Sequence, residues 1–228
     1  MQIFEFFIFS SLIIYAILIG LLLIGIHKIK NFQKIDAFEK ENFSIIVAFR
    51  NEELNLDDLL QSINKLNYPK DCFEVILVDD ESSDNSVKII ESFNENNPTL
   101  DLKITANIRK TNAPKKDAIV TALAICKNNW IFTTDADCKL SENILSILNE
   151  FIKQKEAVMI AGLVLYPEGH TFLHQFQNFD WLSLTGFTMS GFGWKKPMIC
   201  SGANLVYQKD AFLQINGFDG NEEIASGN

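Results

Sequence analysis

Two apolar, β-prone runs in this chain end in paired carboxylates, and this pattern restricts the fold more than any other feature. Val75-Ile76-Leu77-Val78 leads into Asp79-Asp80, and Trp130-Ile131-Phe132-Thr133-Thr134 leads into Asp135-Ala136-Asp137. In an extended segment, carboxylates one residue apart point to the same side. Asp135 and Asp137 therefore stand together at a strand end, where two negative charges need a cation or hydrogen-bond donors. A divalent metal carrying a nucleotide diphosphate meets that need.

The segments around these runs alternate between two periodicities. Phe43 to Phe49 reads as a buried strand, Phe73 to Val78 as a second, Leu102 to Ala106 as a third, Trp130 to Thr134 as a fourth and Val158 to Leu165 as a fifth. Between them lie helical faces. Leu56, Leu59, Leu60, Ile63 and Leu66 form one, with Asn55 as N-cap and Pro69 beyond its end. Val87, Ile90 and Phe93 follow a cap at Ser83 or Asp84. Ala118, Ile119, Ala122 and Leu123 form the third face, and a helix from Ser141 carries Ile144, Leu148, Phe151 and Ile152. This alternation predicts an α/β domain over 43–228, with a mostly parallel, Rossmann-like sheet and helices on both faces. Such sheets bind ligands outside the carboxyl ends of their strands, where the strand order reverses. If the order is 3-2-1-4, Arg50-Asn51-Glu52-Glu53, Asp79-Asp80 and Asp135-Ala136-Asp137 line one crevice.

The N-terminal segment is of a different kind. Phe6 to Ile26 contains no charged residue, and about twenty helical residues cross a hydrocarbon core of roughly 30 Å. Lys28, Lys30 and Lys34 follow the run, whereas Glu5 alone precedes it. We read residues 1–30 as an uncleaved transmembrane anchor and 31–42 as a polar linker. The positive-inside rule puts the following domain in the cytoplasm, at the cell membrane.

Composition narrows the partners. The net charge of −9 argues against nucleic acid. Cys72, Cys126, Cys138 and Cys200 have no C-x-x-C spacing, so they read as reduced thiols rather than zinc ligands. His170 and His174 would share a helical face, but no carboxylate pair beside them supports a metal role. There is no Gly-rich dinucleotide fingerprint or P-loop.

Four ordered stretches resemble the family 2 glycosyltransferases and their GT-A fold. They are Ser44-Ile45-Ile46-Val47-Ala48-Phe49-Arg50-Asn51-Glu52-Glu53, Val78-Asp79-Asp80-Glu81-Ser82-Ser83-Asp84, Thr134-Asp135-Ala136-Asp137, and Ser201-Gly202-Ala203-Asn204 continuing to Asn216-Gly217-Phe218-Asp219. The resemblance implies an inverting transfer of sugar from a nucleotide-sugar donor, UDP-linked, to a saccharide or lipid-linked acceptor. It implies that Phe49, Asn51, Glu52, Asp80, Lys116 and Asp135 bind nucleotide, Asp80 by accepting the imide N–H of uracil. Asp79 orders the turn. Asp137, with Asp135, implies a magnesium or manganese site that neutralises the departing diphosphate. Lys115 and Lys116 fall where the family carries a Lys on the diphosphate side. Gly202 and Asn204 fall near donor sugar and acceptor.

The same resemblance places a catalytic base in an acidic motif after Gly217-Phe218-Asp219. Here the stretch runs Glu222-Glu223-Ile224-Ala225-Ser226-Gly227-Asn228, with Asn228 in the place of the first acid. The base is expected just after Asn228, so the sequence reads as truncated before it; Glu222 and Glu223 read as loop residues. A non-catalytic binding subunit of the same fold is an alternative. A nucleotidyltransferase is another, although Arg50-Asn51-Glu52-Glu53 lacks the Gly-rich basic loop it needs. Finally, the aromatics between Thr171 and Trp194, with Trp181 and Trp194 among them, read as core packing or as contacts near the bilayer and an acceptor channel.

Overall fold

The computed structural model describes residues 2–29, 32, 39–165, 169 and 171–220. Lys30, Lys34, His170, Glu222, Glu223 and Asn228, which carried expectations above, lie outside the described residues, as does the expected base. Along the chain the elements run α1 (Gln2–His27), β1 (Phe43–Phe49), α2 (Leu56–Asn64), β2 (Phe73–Asp79), α3 (Ser86–Asn96), β3 (Leu102–Ala106), α4 (Pro114–Ile125), β4 (Trp130–Asp135), α5 (Ile144–Lys155), β5 (Met159–Ala161), α6 (Phe172–Gly193), β6 (Leu205–Gln208) and α7 (Lys209–Gln214). Two compact units form: Met1–Phe32 with Leu163–Cys200, and Gln33–Gly162 with Ser201–Asn228. The segment Leu163–Cys200, read from the sequence as part of a 43–228 domain, thus groups with the N-terminal helix.

The larger unit is built on a six-stranded sheet of order β3-β2-β1-β4-β6-β5. The expected order 3-2-1-4 is present, and these four strands are parallel. β6 runs antiparallel to both β4 and β5. Strand alternation divides the side chains between two layers. Ile45, Val47, Phe49, Val75, Leu77 and Phe132 pack in one core with Leu56, Leu59, Leu60 and Ile63 of α2, Ile90 of α3 and Leu148 of α5. Ile46, Ile76, Val78, Ile131 and Tyr207 pack in the other, against Ala118, Ile119, Ala122 and Leu123 of α4. Each such aliphatic side chain contributes about 1.5–3 kcal/mol by leaving water. Both faces are covered, which explains why the strands lack polar alternation.

Three elements differ from the sequence expectation. α3 begins at Ser86, with Asn85 rather than Ser83 or Asp84 at its N-cap, although Asp84 Oδ1 accepts from the Ser86 N–H at 3.0 Å. β5 covers only Met159–Ala161, because its partner is the short β6, whose ladder ends where the chain turns at Gly202–Asn204. α5 begins at Ile144, with Asn143 rather than Ser141 at its N-cap. Beneath the sheet, at the amino end of the strands, Glu74 is almost fully buried. It accepts hydrogen bonds from Ser44 Oγ (2.6 Å), Lys103 Nζ (2.6 Å) and the Lys127 N–H (2.6 Å). Burial pushes its carboxyl upward, but the bonds from Lys103, Ser44 and Lys127 outweigh burial and hold it below the usual range.

In the smaller unit, α1 meets α6 through small residues. Gly25 backs onto Gly193 so closely that a side chain at Gly193 would collide with the Gly25 backbone. The Trp194 indole N–H donates to the Leu21 carbonyl at 3.0 Å. Trp181 donates to the Val164 carbonyl at 2.6 Å. Both indoles are thus occupied by contacts within this unit.

Candidate active site

The sheet register brings the expected residues to one edge. Phe49 pairs with Asp79 across β1 and β2, and Ala48 pairs with Asp135 across β1 and β4. The acidic ends of β2 and β4 therefore flank the end of β1, about 10 Å apart by two strand spacings. β6 is antiparallel to β4, so Leu205 pairs with Thr133. Thr133 Oγ donates to the Gly202 carbonyl at 2.8 Å, which fixes the Gly202–Asn204 turn at the same edge. The Gly162 N–H donates to the Asn204 carbonyl at 2.7 Å, and a side chain at Gly162 would collide with that of Asn204.

Asp80 is the centre of charge at this edge. Its backbone N–H donates to the Phe49 carbonyl at 2.9 Å. Its carboxylate receives Arg109 Nε at 2.6 Å, Arg109 Nη2 at 2.7 Å and Asn107 Nδ2 at 2.7 Å. Arg50 Nη1 stands 3.8 Å away. The Arg109 bonds hold this carboxyl below the usual range against the opposing effect of burial. Asp80 was expected to offer its oxygens to a base. In the structure they are already engaged by the loop after β3, so a base edge would approach a carboxylate held in place by Arg109 and Asn107.

That loop is itself held by Asp117, which accepts from the Lys110 and Thr111 N–H groups, both at 2.8 Å. Neither Asn107 nor Arg109 stood out in the sequence. The signal that points to them is the one used for the other strands: β3 ends at Ala106, beside Asp79, so polar residues after it reach the same edge.

The loop after β1 is laced to the loop after β2. Asn51 has left-handed backbone (φ 56°), which Asn tolerates better than most residues. Its Oδ1 accepts from the Ser83 N–H at 2.7 Å, and its N–H donates to Ser82 Oγ at 3.0 Å. The Glu52 N–H donates to Ser86 Oγ at 2.8 Å, and its carboxylate accepts from Asn55 at 2.7 Å. Asp79 Oδ1 accepts from the Ser82 N–H at 3.0 Å and orders the turn. The Phe49 ring is buried in the core. Phe49 meets the site through its carbonyl, not its ring.

At β4, Lys115 Nζ donates to Asp135 Oδ1 at 2.6 Å. Lys115 is thus the member of the pair that reaches the strand-end carboxylates. Lys116 is buried, with its ammonium 5.5 Å over the Phe218 ring. Asp137 is exposed. Among the described residues no group of three or more His, Cys, Asp or Glu converges. Asp135 and Asp137 supply two hard oxygen donors, which fits a cation that takes its remaining ligands from diphosphate and water.

The sequence profile described as "Glycosyl transferase family 2" matches residues 44–215. "Probable glycosyltransferase YdaM" of Bacillus subtilis (strain 168) is 25% identical over 189 residues, covering 79% of this chain and 44% of that protein. The poly(ribitol-phosphate) beta-N-acetylglucosaminyltransferase TarS of Staphylococcus aureus (strain Mu50 / ATCC 700699) is 31% identical over 112 residues, 49% of this chain and 19% of TarS. The crystal structure of S. aureus TarS 1-349 in complex with UDP-GlcNAc superimposes with a TM-score of 0.53 at 21% identity, over 77% of this chain and 47% of that one. The mannosyltransferase PcManGT from Pyrobaculum calidifontis, in complex with GDP-Man and Mn2+, superimposes with a TM-score of 0.68 at 18% identity, over 94% of this chain and 60% of PcManGT. These two structures share the GT-A fold with this chain. The chain spans less than half the length of the curated relatives it matches.

Proposed function

The chain belongs to glycosyl transferase family 2, and we propose that it moves a sugar from a UDP-linked donor to a hydroxyl of a saccharide or lipid-linked acceptor, with inversion, from a membrane-anchored position. The observation that carries this reading is the convergence of Asp80, Asp135 and the Gly202–Asn204 turn on one sheet edge. UDP-GlcNAc bound to TarS supports the choice of donor, and the poly(ribitol-phosphate) in that relative's name, a hydroxyl-bearing polymer, supports a hydroxyl acceptor. The Mn2+ and GDP-Man bound to PcManGT support a divalent metal.

In this reading Asp80, oriented by Arg109 and Asn107, accepts the imide N–H of uracil. Asn51 and Glu52 shape the pocket through the loops they join. Asp135 and Asp137 would hold magnesium or manganese, which supplies charge neutralisation for the diphosphate leaving group. Lys115 stands beside Asp135 and adds a second positive charge for the same diphosphate. Gly202 and Asn204 border the sugar and the acceptor. α1, whose 25-residue, mainly apolar span Ile3–His27 measures about 37 Å, crosses the bilayer, with Lys28 at its cytoplasmic end. The test is UDP release from a panel of UDP-sugars by the membrane-reconstituted protein, with and without manganese. Turnover of one UDP-sugar supports the reading. Turnover of none together with calorimetric binding of none, with every divalent metal supplied, removes it, since binding does not need the base expected just after Asn228.

A further inference from the structure

α6 carries a row of rings that the fold does not use. Phe172, Phe176 and Phe179 recur at i, i+4 and i+7 and are 85%, 61% and 72% exposed. At roughly 100° per residue they form one face. Leu173 and Leu182 flank that face and are also exposed, whereas Trp181, on the opposite side, is bonded to Val164. Asp180 is the one acidic or basic residue of Phe172–Gly193 apart from His174. Contiguous exposed rings of this kind mark an interaction surface.

The contacts of α6 with α1 indicate what covers the row. They involve the end of α1: Leu21 receives the Trp194 indole N–H, Gly25 backs onto Gly193, and Lys28 Nζ lies 3.3 Å from the Trp194 ring centroid. A Trp and a Lys that meet at the end of a long apolar helix are the residues that anchor at a membrane–water boundary. Lys195 and Lys196, both exposed, follow at once, so the cations Lys28, Lys195 and Lys196 gather where anionic headgroups would lie. α6 joins α1 at that level. The side chains of α1 itself are exposed over most of its length, so lipid that covers α1 is available to cover the α6 row.

We propose that α6 is an interfacial helix lying on the bilayer that α1 spans, with Phe172, Phe176 and Phe179 set among the acyl chains. The inference rests on the reading of α1 as membrane-spanning. It assigns acyl-chain contact to the Phe row, headgroup-level contact to Trp194, and neither to Trp181, whose indole bonds Val164 inside its own unit.

The test uses the full chain in phosphatidylethanolamine–phosphatidylglycerol vesicles carrying a trace of phospholipid with an acyl-chain diazirine. After irradiation, lipid adducts are mapped by mass spectrometry. Adducts are expected on α1 and on the α6 peptide containing Phe172–Phe179. The triple variant Phe172→Ser, Phe176→Ser, Phe179→Ser is expected to lose the α6 adducts, keep those on α1 and melt at the same temperature, since these rings are exposed. Adducts on α1 with none on wild-type α6 would overturn the inference and leave the anchor standing. Absence of adducts on α1 would overturn both.

Discussion

Arg109 grips Asp80 with two parallel hydrogen bonds, Nε to Oδ1 at 2.6 Å and Nη2 to Oδ2 at 2.7 Å. A fork of this kind fixes the plane of the carboxylate as well as its charge. Replacing Arg109 by Ala should therefore let the Asp80 carboxyl rise toward its ordinary value. The sign follows from the depressed folded value: the pair contributes stability above the unfolded carboxyl pKa of about 3.9 and loses it as pH falls through the folded one. Carbon-13 titration of Asp80 in the wild type and in Arg109→Ala measures this directly. An unchanged midpoint would mean that Asn107 and Arg50 suffice.

Glu74 offers a stability test remote from the site. It accepts three hydrogen bonds while almost fully buried. Glu74→Ala strands the Lys103 ammonium, the Ser44 hydroxyl and the Lys127 N–H, and should cost about 2–4 kcal/mol. Its folded carboxyl is held below the usual range, so its contribution is full above about pH 4.3 and fades on acidification below that. Thermal melts at neutral and acid pH should show the gap between wild type and variant narrowing in acid.

Much of this fold was legible in the residues themselves. The runs Phe43–Phe49, Phe73–Val78 and Trp130–Thr134 are apolar on both faces, and only a sheet covered twice makes use of that. The acids at their ends then had to share an edge once the order was 3-2-1-4. Less legible was whatever depends on loops. Arg109 lies after a five-residue strand, Leu102–Ala106, in a stretch with no motif of its own. The choice between Lys115 and Lys116 turns on the helical phase of α4, whose start at Pro114 was not evident. β5 shrank because its length is set by β6 and not by its own hydrophobicity. The Thr171–Trp194 aromatics form a helix that packs on α1 and leaves the Phe172, Phe176 and Phe179 rings exposed.

The two lysines should separate by experiment. Lys115 reaches Asp135, whereas Lys116 is buried near Phe218. Lys115→Ala is expected to weaken UDP binding roughly tenfold by removing a charge beside the diphosphate. Lys116→Ala is expected to lower the melting temperature with little change in UDP affinity. Titration of UDP into both variants distinguishes them, and the reverse ranking would return the role to Lys116.

Gly162 tests the Asn204 turn without removing a polar group. A Cβ at Gly162 collides with the Asn204 side chain, and the Gly162 N–H bonds the Asn204 carbonyl. Gly162→Ala should displace that turn, lowering turnover with acceptor while UDP affinity stays within about twofold. Equal losses in both would place the damage in the fold and not at the acceptor side.

In the proposed function the carboxylates at the ends of β2 and β4 serve one bound donor. Calorimetric titration of UDP into the protein, with and without manganese, addresses this most directly. Manganese is expected to tighten binding in the wild type, Asp137→Ala to abolish the manganese effect, and Asp80→Ala to reduce the preference for UDP over GDP. Equal UDP affinity with and without manganese in the wild type would contradict it.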